Sequence, residues 1–430
     1  MNRQNIIIGG GITGMYLAYQ LCKNNEKVMV LERNKRTGGL LEGFEISGNS
    51  LEKTYHHLFS SDKKAVALIK ELGLEKNMDW YKSSMAIYYG NKLYPFCGAI
   101  DLLKFDALSL PNRIRTGVVS LYLSKSNAWH RFEKIPAYEY MKRLYGQESY
   151  KVIWQPLLKS KFGEKYKKVS MAWMWARLNS RGNSKENGVE KLGYLMGGFG
   201  KIVDRLSEEI IEMGGIIRTN VLVSKIDSKN NQLTVSYDNK KINADRIFCC
   251  IDNDNFSKLI DAKKHKNYVN KLKSIDYIGT INLVFSSKQE LTSYYWNNIN
   301  DSHSPFVSFV NHTQLVGRKK YKKNNIYYLG TYIDTKDVLY KKSDESIKKI
   351  YFDYLKKIIP SFDKNKVIQS NVFKYDKAQH LVDTSYTKKI LPTKTELNNV
   401  YLINYSQIYP KDRGINWSID QIDRLIMQIK

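Results

Sequence analysis

The chain has 430 residues, 42% of them apolar, and its 69 basic and 42 acidic side chains give a formal charge of +27. That length exceeds one compact core and that apolar share excludes a disordered chain, so two or three packed units are expected. No stretch approaches the ~18 consecutive apolar residues of a membrane-spanning helix, and the short N-terminal isoleucine run ends in glycines rather than a cleavage site, so a cytoplasmic protein is expected.

Such a charge favours anionic partners: nucleic acid, lipid headgroups or a phosphorylated small molecule. The lysines are spread widely, and only Arg318–Lys323 forms a dense cluster. No recognised nucleic-acid module accompanies them. A small anionic substrate and peripheral contact with a membrane surface are expected, and nucleic acid is not. Cys22, Cys97, Cys249 and Cys250 lack metal-ligand spacing. They read as reduced core thiols, with no metal site.

In chain order, Asn5–Ile8 is a short apolar run followed by Gly9-Gly10-Gly11-Ile12-Thr13-Gly14, and Met15, Leu17, Ala18 and Leu21 then recur at helical spacing. Lys27–Glu32 is the next strand, so the opening is a βαβ unit and implies a parallel sheet. A helix follows from about Ser61, with Ala65, Leu68, Ile69 and Leu72 on one face and Gly73 at its end. Residues 100–185 read as mostly helical, with Trp129, Trp154, Trp173 and Trp175 as core. Gly197-Gly198-Phe199-Gly200 opens a second α/β segment. It continues as a helix over Lys201–Met213 and strands at Ile216–Thr219, Val221–Asp227, Gln232–Tyr237 and Arg246–Ile251. Thr280–Phe285 and Ile326–Thr331 are further strands, and Glu345–Ile359 is a helix that stops before Pro360. A last strand, Asn399–Asn404, precedes a final helix from about Asn416. The pattern is a nucleotide-binding domain interrupted twice by a substrate domain.

The glycine loop assigns a task to each glycine. Gly9 permits the tight turn, Gly11 lets the backbone approach a pyrophosphate, and Gly14 lets helix pack on strand. The helix start at Ile12 and Thr13 offers free N–H groups and a positive dipole end to phosphate. Glu32, closing the second strand, is placed to accept hydrogen bonds from a ribose hydroxyl. This register specifies a dinucleotide, FAD or NAD.

The continuation Glu32-Arg33-Asn34-Lys35-Arg36-Thr37-Gly38-Gly39-Leu40 resembles the E-x-x-x-R-x-G-G extension of the amine-oxidase and protoporphyrinogen-oxidase-like flavoproteins, to which the UDP-galactopyranose mutases are related. The resemblance implies FAD rather than NAD, with Arg36 pairing with phosphate and Gly38-Gly39 passing close to the ribityl chain. Residues 193–226 resemble the superfamily's second FAD segment, in which Val223 would hold the adenine through its backbone. Arg413-Gly414-Ile415-Asn416-Trp417-Ser418 resembles the helix start that lies by the flavin pyrimidine edge. Where most members carry Gly-Asp after the last strand, this chain reads Asn404-Tyr405-Ser406-Gln407, which leaves the ribityl contact to backbone, Ser406 or Gln407. The implied fold is α/β: a Rossmann-like FAD-binding domain of the GR2 type with an inserted mixed α+β substrate domain. The FAD-binding segments are 1–80, 191–272 and 396–430. The helical part of the substrate domain is 81–190 and its sheet part 273–395.

Candidate chemistry sits at Tyr55-His56-His57-Leu58-Phe59. His57-Leu58-Phe59 resembles the His-x-Phe that the mutases place beside the flavin ring, where His57, with His56, would move protons. The alternative is a structural histidine packed under the cofactor. His312 in Asn311–Gln314 is a second candidate to face substrate, against a simple strand-end turn. Arg177 and Arg181, with Lys159 and Lys161, flank the aromatic helical region and would hold the diphosphate of an anionic substrate, or equally form a solvated basic face. Two functions stand against each other: hydride transfer from substrate to flavin N5, and a mutase-like, non-redox isomerisation of a nucleotide sugar.

Overall fold

The computed structural model describes residues 3–186, 189–229 and 232–429. Its first sheet has five strands, all parallel, in the spatial order Ile216–Arg218, Lys27–Leu31, Gln4–Ile8, Arg246–Cys249, Val400–Leu402. Strands covered on both faces read as continuous apolar runs, which is why Ile6, Ile7 and Ile8 are all buried. Asn5 is the exception. It is fully buried and accepts a 2.8 Å hydrogen bond from Arg246 Nε across the two central strands. The helices Ile12–Lys23, Gly200–Glu212 and Ile415–Ile429 share the core on one face. On the other face lies the antiparallel meander Val223–Lys229, Gln232–Tyr237, Lys240–Ala244.

The second main sheet has seven strands, with Tyr277–Ser287 paired to both Val367–His380 and Asn325–Ile333. Beyond it, Ser308–Asn311 and Trp296–Ile299 lead to Met85–Tyr89 and Lys92–Pro95 at the far edge. This corrects the helical reading of 81–190. Its first fifteen residues carry strands, because Ala86, Ile87 and Tyr88 are buried in the sheet and helices begin only at Ala99. From there Leu110–Lys125, Ala137–Ser149 and Met171–Asn183 enclose their own core around Tyr145, Trp154, Trp173 and Trp175. Cys97 is likewise corrected. It is exposed, whereas Cys22 and Cys249 are buried and Cys250 is half-buried. No helix among the described residues is long and apolar enough to cross a membrane.

Candidate active site

The carboxyl ends of the parallel strands open into a cavity of about 760 Å³, as expected where strand order reverses in a doubly wound sheet. Two glycines shape its floor. Gly9 has φ +106°, and a Cβ there would meet the Cys250 carbonyl at 2.7 Å; a Cβ on Gly14 would lie 2.0 Å from the Gly9 carbonyl. Gly14 thus seats the helix on the strand and stays behind the cavity wall. Gly11 does the opposite: a Cβ there would meet nothing within 4 Å. It precedes the helix Ile12–Lys23 with no side-chain cap, so the N–H groups of Ile12 and Thr13, both in the lining, stay available to an anion.

The second glycine motif closes on the first. Gly38 N–H donates to the Gly10 carbonyl at 2.8 Å, and Gly39 approaches Gly11 so closely that a Cβ would stand 3.3 Å from its Cα. Glu32 is 6% exposed. Its Oε2 accepts from Gly10 N–H at 2.7 Å and its Oε1 from Asn34 N–H at 2.8 Å. Each oxygen keeps capacity for a further hydrogen bond, and Glu32 is in the cavity lining. Arg33, Leu40 and Val223 also line the cavity. Arg36 does not; it is exposed, with its charge felt by Asp204 on the neighbouring helix. These donors, the acid and the open backbone at Gly11 fit a dinucleotide.

At the other end, Gly414, Asn416 and Trp417 line the cavity where the last helix begins. The Asn416 Oδ1 accepts from Lys64 N–H at 2.9 Å, fixing the helix Lys63–Glu71 against it. Ser406 stands behind the wall. Its hydroxyl donates to Asn404 Oδ1 at 2.6 Å, while Asn404 Nδ2 donates to the Ile251 carbonyl and Asn253 Oδ1, both at 2.9 Å. The departure at 404–407 is thus a buried polar knot joining two strand ends, and Tyr405 is its cavity-facing member.

His56 and His57 both line the cavity. His56 Nδ1 is 2.7 Å from the Thr54 carbonyl; a carbonyl only accepts, so Nδ1 carries the proton and Nε2 a lone pair. His57 Nδ1 is 3.1 Å from the Tyr295 hydroxyl, and its ring meets Phe59 edge-on at 5.2 Å. Burial drives both pKa values down. His56 falls to about 4 despite the Thr54 carbonyl, with the Arg413 charge assisting. His57 falls to about 3 with Arg181 and His56 assisting. Both rings are neutral at pH 7. His312 does not reach the cavity: it is 3% exposed, Nε2 2.9 Å from the Tyr321 hydroxyl, in a short helix capped by Asn311.

Arg177 and Arg181 do line the cavity, but not as a solvated face. Arg177 Nη2 is 2.9 Å from Asp412 Oδ2, and Arg181 Nη1 is 3.5 Å from Met85 Sδ. Beside Arg177 stands Lys161, which the sequence placed in the same basic set. It is 6% exposed, lines the cavity, and has no hydrogen bond or ion pair among the described residues. Its Nζ is 5.2 Å from the Trp173 ring centre and 4.5 Å from that of Tyr332. Burial, with Arg177 and Arg413 nearby, holds its pKa well below the usual lysine value. The Arg413 Nη2 donates to the Tyr332 hydroxyl at 3.5 Å. Asp412 is the nearby carboxylate. Burial works to raise its pKa, but Arg177, Lys161 and Arg413 hold it below the usual range. The signal in the sequence was helical spacing, since Lys161 lies three and four residues after Leu158 and Leu157 on an inward face.

The profile of the flavin containing amine oxidoreductase family matches residues 12–402. A stretch of 170 residues, 39% of the chain, is 26% identical to the chloroplastic protoporphyrinogen oxidase of Nicotiana tabacum, of whose length it spans 30%. Among solved structures, a protein from Exiguobacterium sp. 255-15 provisionally named a protoporphyrinogen oxidase superposes with a TM-score of 0.79 at 16% identity, covering 100% of this chain and 99% of that one. A reduced UDP-galactopyranose mutase superposes with a TM-score of 0.76 at 14% identity, covering 99% and 96%. The match over most of the length and the cradle built by Gly11, Gly39 and Glu32 agree: the chain belongs to the flavin containing amine oxidoreductase family, with FAD as its cofactor.

Proposed function

We propose that this oxidoreductase removes a hydride from a small anionic substrate, with sugar phosphates and nucleotide sugars of glycan synthesis as the first class to test. When bound, FAD supplies the hydride acceptor at N5. The observation that carries the anionic reading is the set of basic groups at one stretch of the cavity wall, Arg177, Arg413 and the buried Lys161, gathered around the Asp412 carboxylate. The two guanidinium groups stay charged while one carboxylate faces them, and the surplus positive charge suits a ligand of opposite sign.

The other residues divide the work. Ile12 and Thr13 hold the pyrophosphate through their amides, Glu32 the ribose, and Val223 the adenine through its backbone. The amides at Gly414–Asn416 offer donors where negative charge develops. His56 Nε2 keeps a lone pair at neutral pH and accepts a proton from a substrate hydroxyl or amine. His57, held by Tyr295, orients the same wall.

The test is anaerobic mixing of the purified yellow protein with sugar phosphates and nucleotide sugars. Loss of the oxidised flavin band without added reductant is the expected result. Turnover that requires prior dithionite reduction and leaves the redox state unchanged would replace this reading with the mutase-like one.

A further inference from the structure

A helix on a protein surface ordinarily turns its polar side to water. Leu110–Lys125 does the reverse. Thr116 and Leu123 are its buried residues, while Leu110, Ile114, Val118, Leu121 and Tyr122 are 54–64% exposed. At 3.6 residues per turn these five fall within an arc of about 120°. The short helix Ala99–Leu103 lies alongside, its Leu102 side chain 3.5 Å from where a Cβ on Gly117 would stand. It adds Ile100 and Leu103, 68% and 49% exposed. Apolar side chains scattered singly on a surface are ordinary; a contiguous patch of this kind marks a contact surface.

The charge around the patch identifies what it contacts. Lys104, Arg115 and Lys125 are exposed at its margins. Arg113 and Arg115 are braced there, Arg113 Nε donating to the Leu108 carbonyl and Arg115 Nε to the Leu144 carbonyl, both at 2.6 Å. Of the nearby acids, Asp106 pairs with Lys92 at 2.8 Å, while Asp101 and Glu148 accept hydrogen bonds from the Cys97 and Ser109 N–H groups and keep their charge, so the basic side chains at the margins outnumber the unpaired acids. With a formal charge of +27 on each chain, a second copy is repelled and an anionic surface attracted. An apolar helical face with basic flanks is the pattern of a helix lying in the interface plane of a bilayer.

We propose that this face docks on the headgroup layer of an anionic bilayer, its apolar side chains entering the interface and its basic margins meeting lipid phosphates. Docking places the cavity close to the membrane. The helix packs on Met171–Asn183, with Asn179 Nδ2 donating to the Ser124 carbonyl at 2.9 Å, and that helix carries Arg177 and Arg181 into the cavity wall. A substrate held at the bilayer surface by a lipid tail would then present its polar head to the site.

The test is flotation of the full-length holoenzyme with vesicles of phosphatidylcholine alone and of phosphatidylcholine mixed with phosphatidylglycerol. The wild type is expected to float with the mixed vesicles and much less with the neutral ones. The double variant Ile114→Glu, Val118→Glu is expected to lose about tenfold in vesicle affinity, with FAD content and thermal midpoint unchanged. A second measurement does not depend on that variant. An environment-sensitive fluorophore on the exposed Cys97 should shift to the blue when anionic vesicles are added. Wild-type protein that stays unbound, or a variant that floats equally well, overturns the proposal. So does a wild-type dimer that binds no vesicles and is dissociated by the two substitutions, since the patch would then be covered by a second copy.

Discussion

Arg177 Nη2 and Asp412 Oδ2 stand 2.9 Å apart across the cavity wall and tie the helix Met171–Asn183 to the loop that precedes the last helix. Asp412 also faces the charges of Lys161 and Arg413. Removing it leaves Arg177 and Arg413 facing each other without that carboxylate and takes away the charge that favours protonation of Lys161. Both partners of the pair are about 30% exposed toward the cavity, which discounts the cost of breaking a fully buried pair. Asp412→Asn is expected to destabilise the fold by about 1–3 kcal/mol in urea titration. Adding Lys161→Met should recover part of the loss, a coupling that a double-mutant cycle measures.

Lys161→Met alone separates binding from packing. An apolar side chain of similar length suits the space between Trp173 and Tyr332, so the thermal midpoint should hold or rise. FAD content should stay the same. The KM for an anionic substrate should rise about tenfold or more, equivalent to about 1.4 kcal/mol. A lowered midpoint with an unchanged KM would make Lys161 a packing residue.

Two glycine substitutions in the same loop should fail in different ways. Gly14→Ala puts a methyl group 2.0 Å from the Gly9 carbonyl, so the βαβ unit must distort and the protein should lose expression and thermal stability. Gly11→Ala meets no protein atom within 4 Å. The apoprotein should therefore melt as the wild type does, while FAD retention after gel filtration is lost because the methyl group occupies the approach of the pyrophosphate.

His57→Ala should keep FAD and slow turnover about tenfold, within the range of a lost proton-transfer or orienting group. Tyr295→Phe removes the hydroxyl 3.1 Å from His57 Nδ1 and should give a smaller loss in the same direction. Equal rates in both variants would leave His57 as packing. The depressed pKa values carry a sign for stability. His56 and His57, lowered to about 4 and about 3, contribute stability present above the ordinary histidine pKa of 6.5 and lost as pH falls toward those values. Chemical denaturation between pH 7 and pH 4 should therefore show a decline that is shallower in His57→Ala.

Glu52 gives the opposite slope. It is 1% exposed, accepts from the Phe199 N–H and from the Tyr194 hydroxyl, and burial raises its pKa from 4.5 to about 7. A raised folded value means stability fully present below the unfolded pKa and lost as pH climbs from 4.5 through 7. At about 1.36 kcal/mol per unit, the span is about 3 kcal/mol at most. Glu52→Gln should flatten that part of the profile.

The glycine-built end of the cavity was legible in the sequence because it is local. Gly9, Gly11, Gly14, Glu32, Gly38 and Gly39 act through backbone conformation and close approach within forty residues, and steric rules fix their meaning without any distant partner. Arg36 and Ser406 show where locality ends: Arg36 faces outward and the Ser406 hydroxyl is taken by Asn404, because side-chain direction depends on neighbours the motif does not contain. The other half is wholly tertiary. His57 meets Tyr295 from 238 residues away, Arg177 meets Asp412 from another segment, and Lys161 gains its character from Trp173 and Tyr332 on different elements. Local sequence carried the dinucleotide reading and named the glycines that shape the cavity floor, since glycine geometry is a property of the chain. Which side chains face that cofactor, and with what charge, was decided only by packing, because burial and the proximity of other charges exist only once distant segments meet.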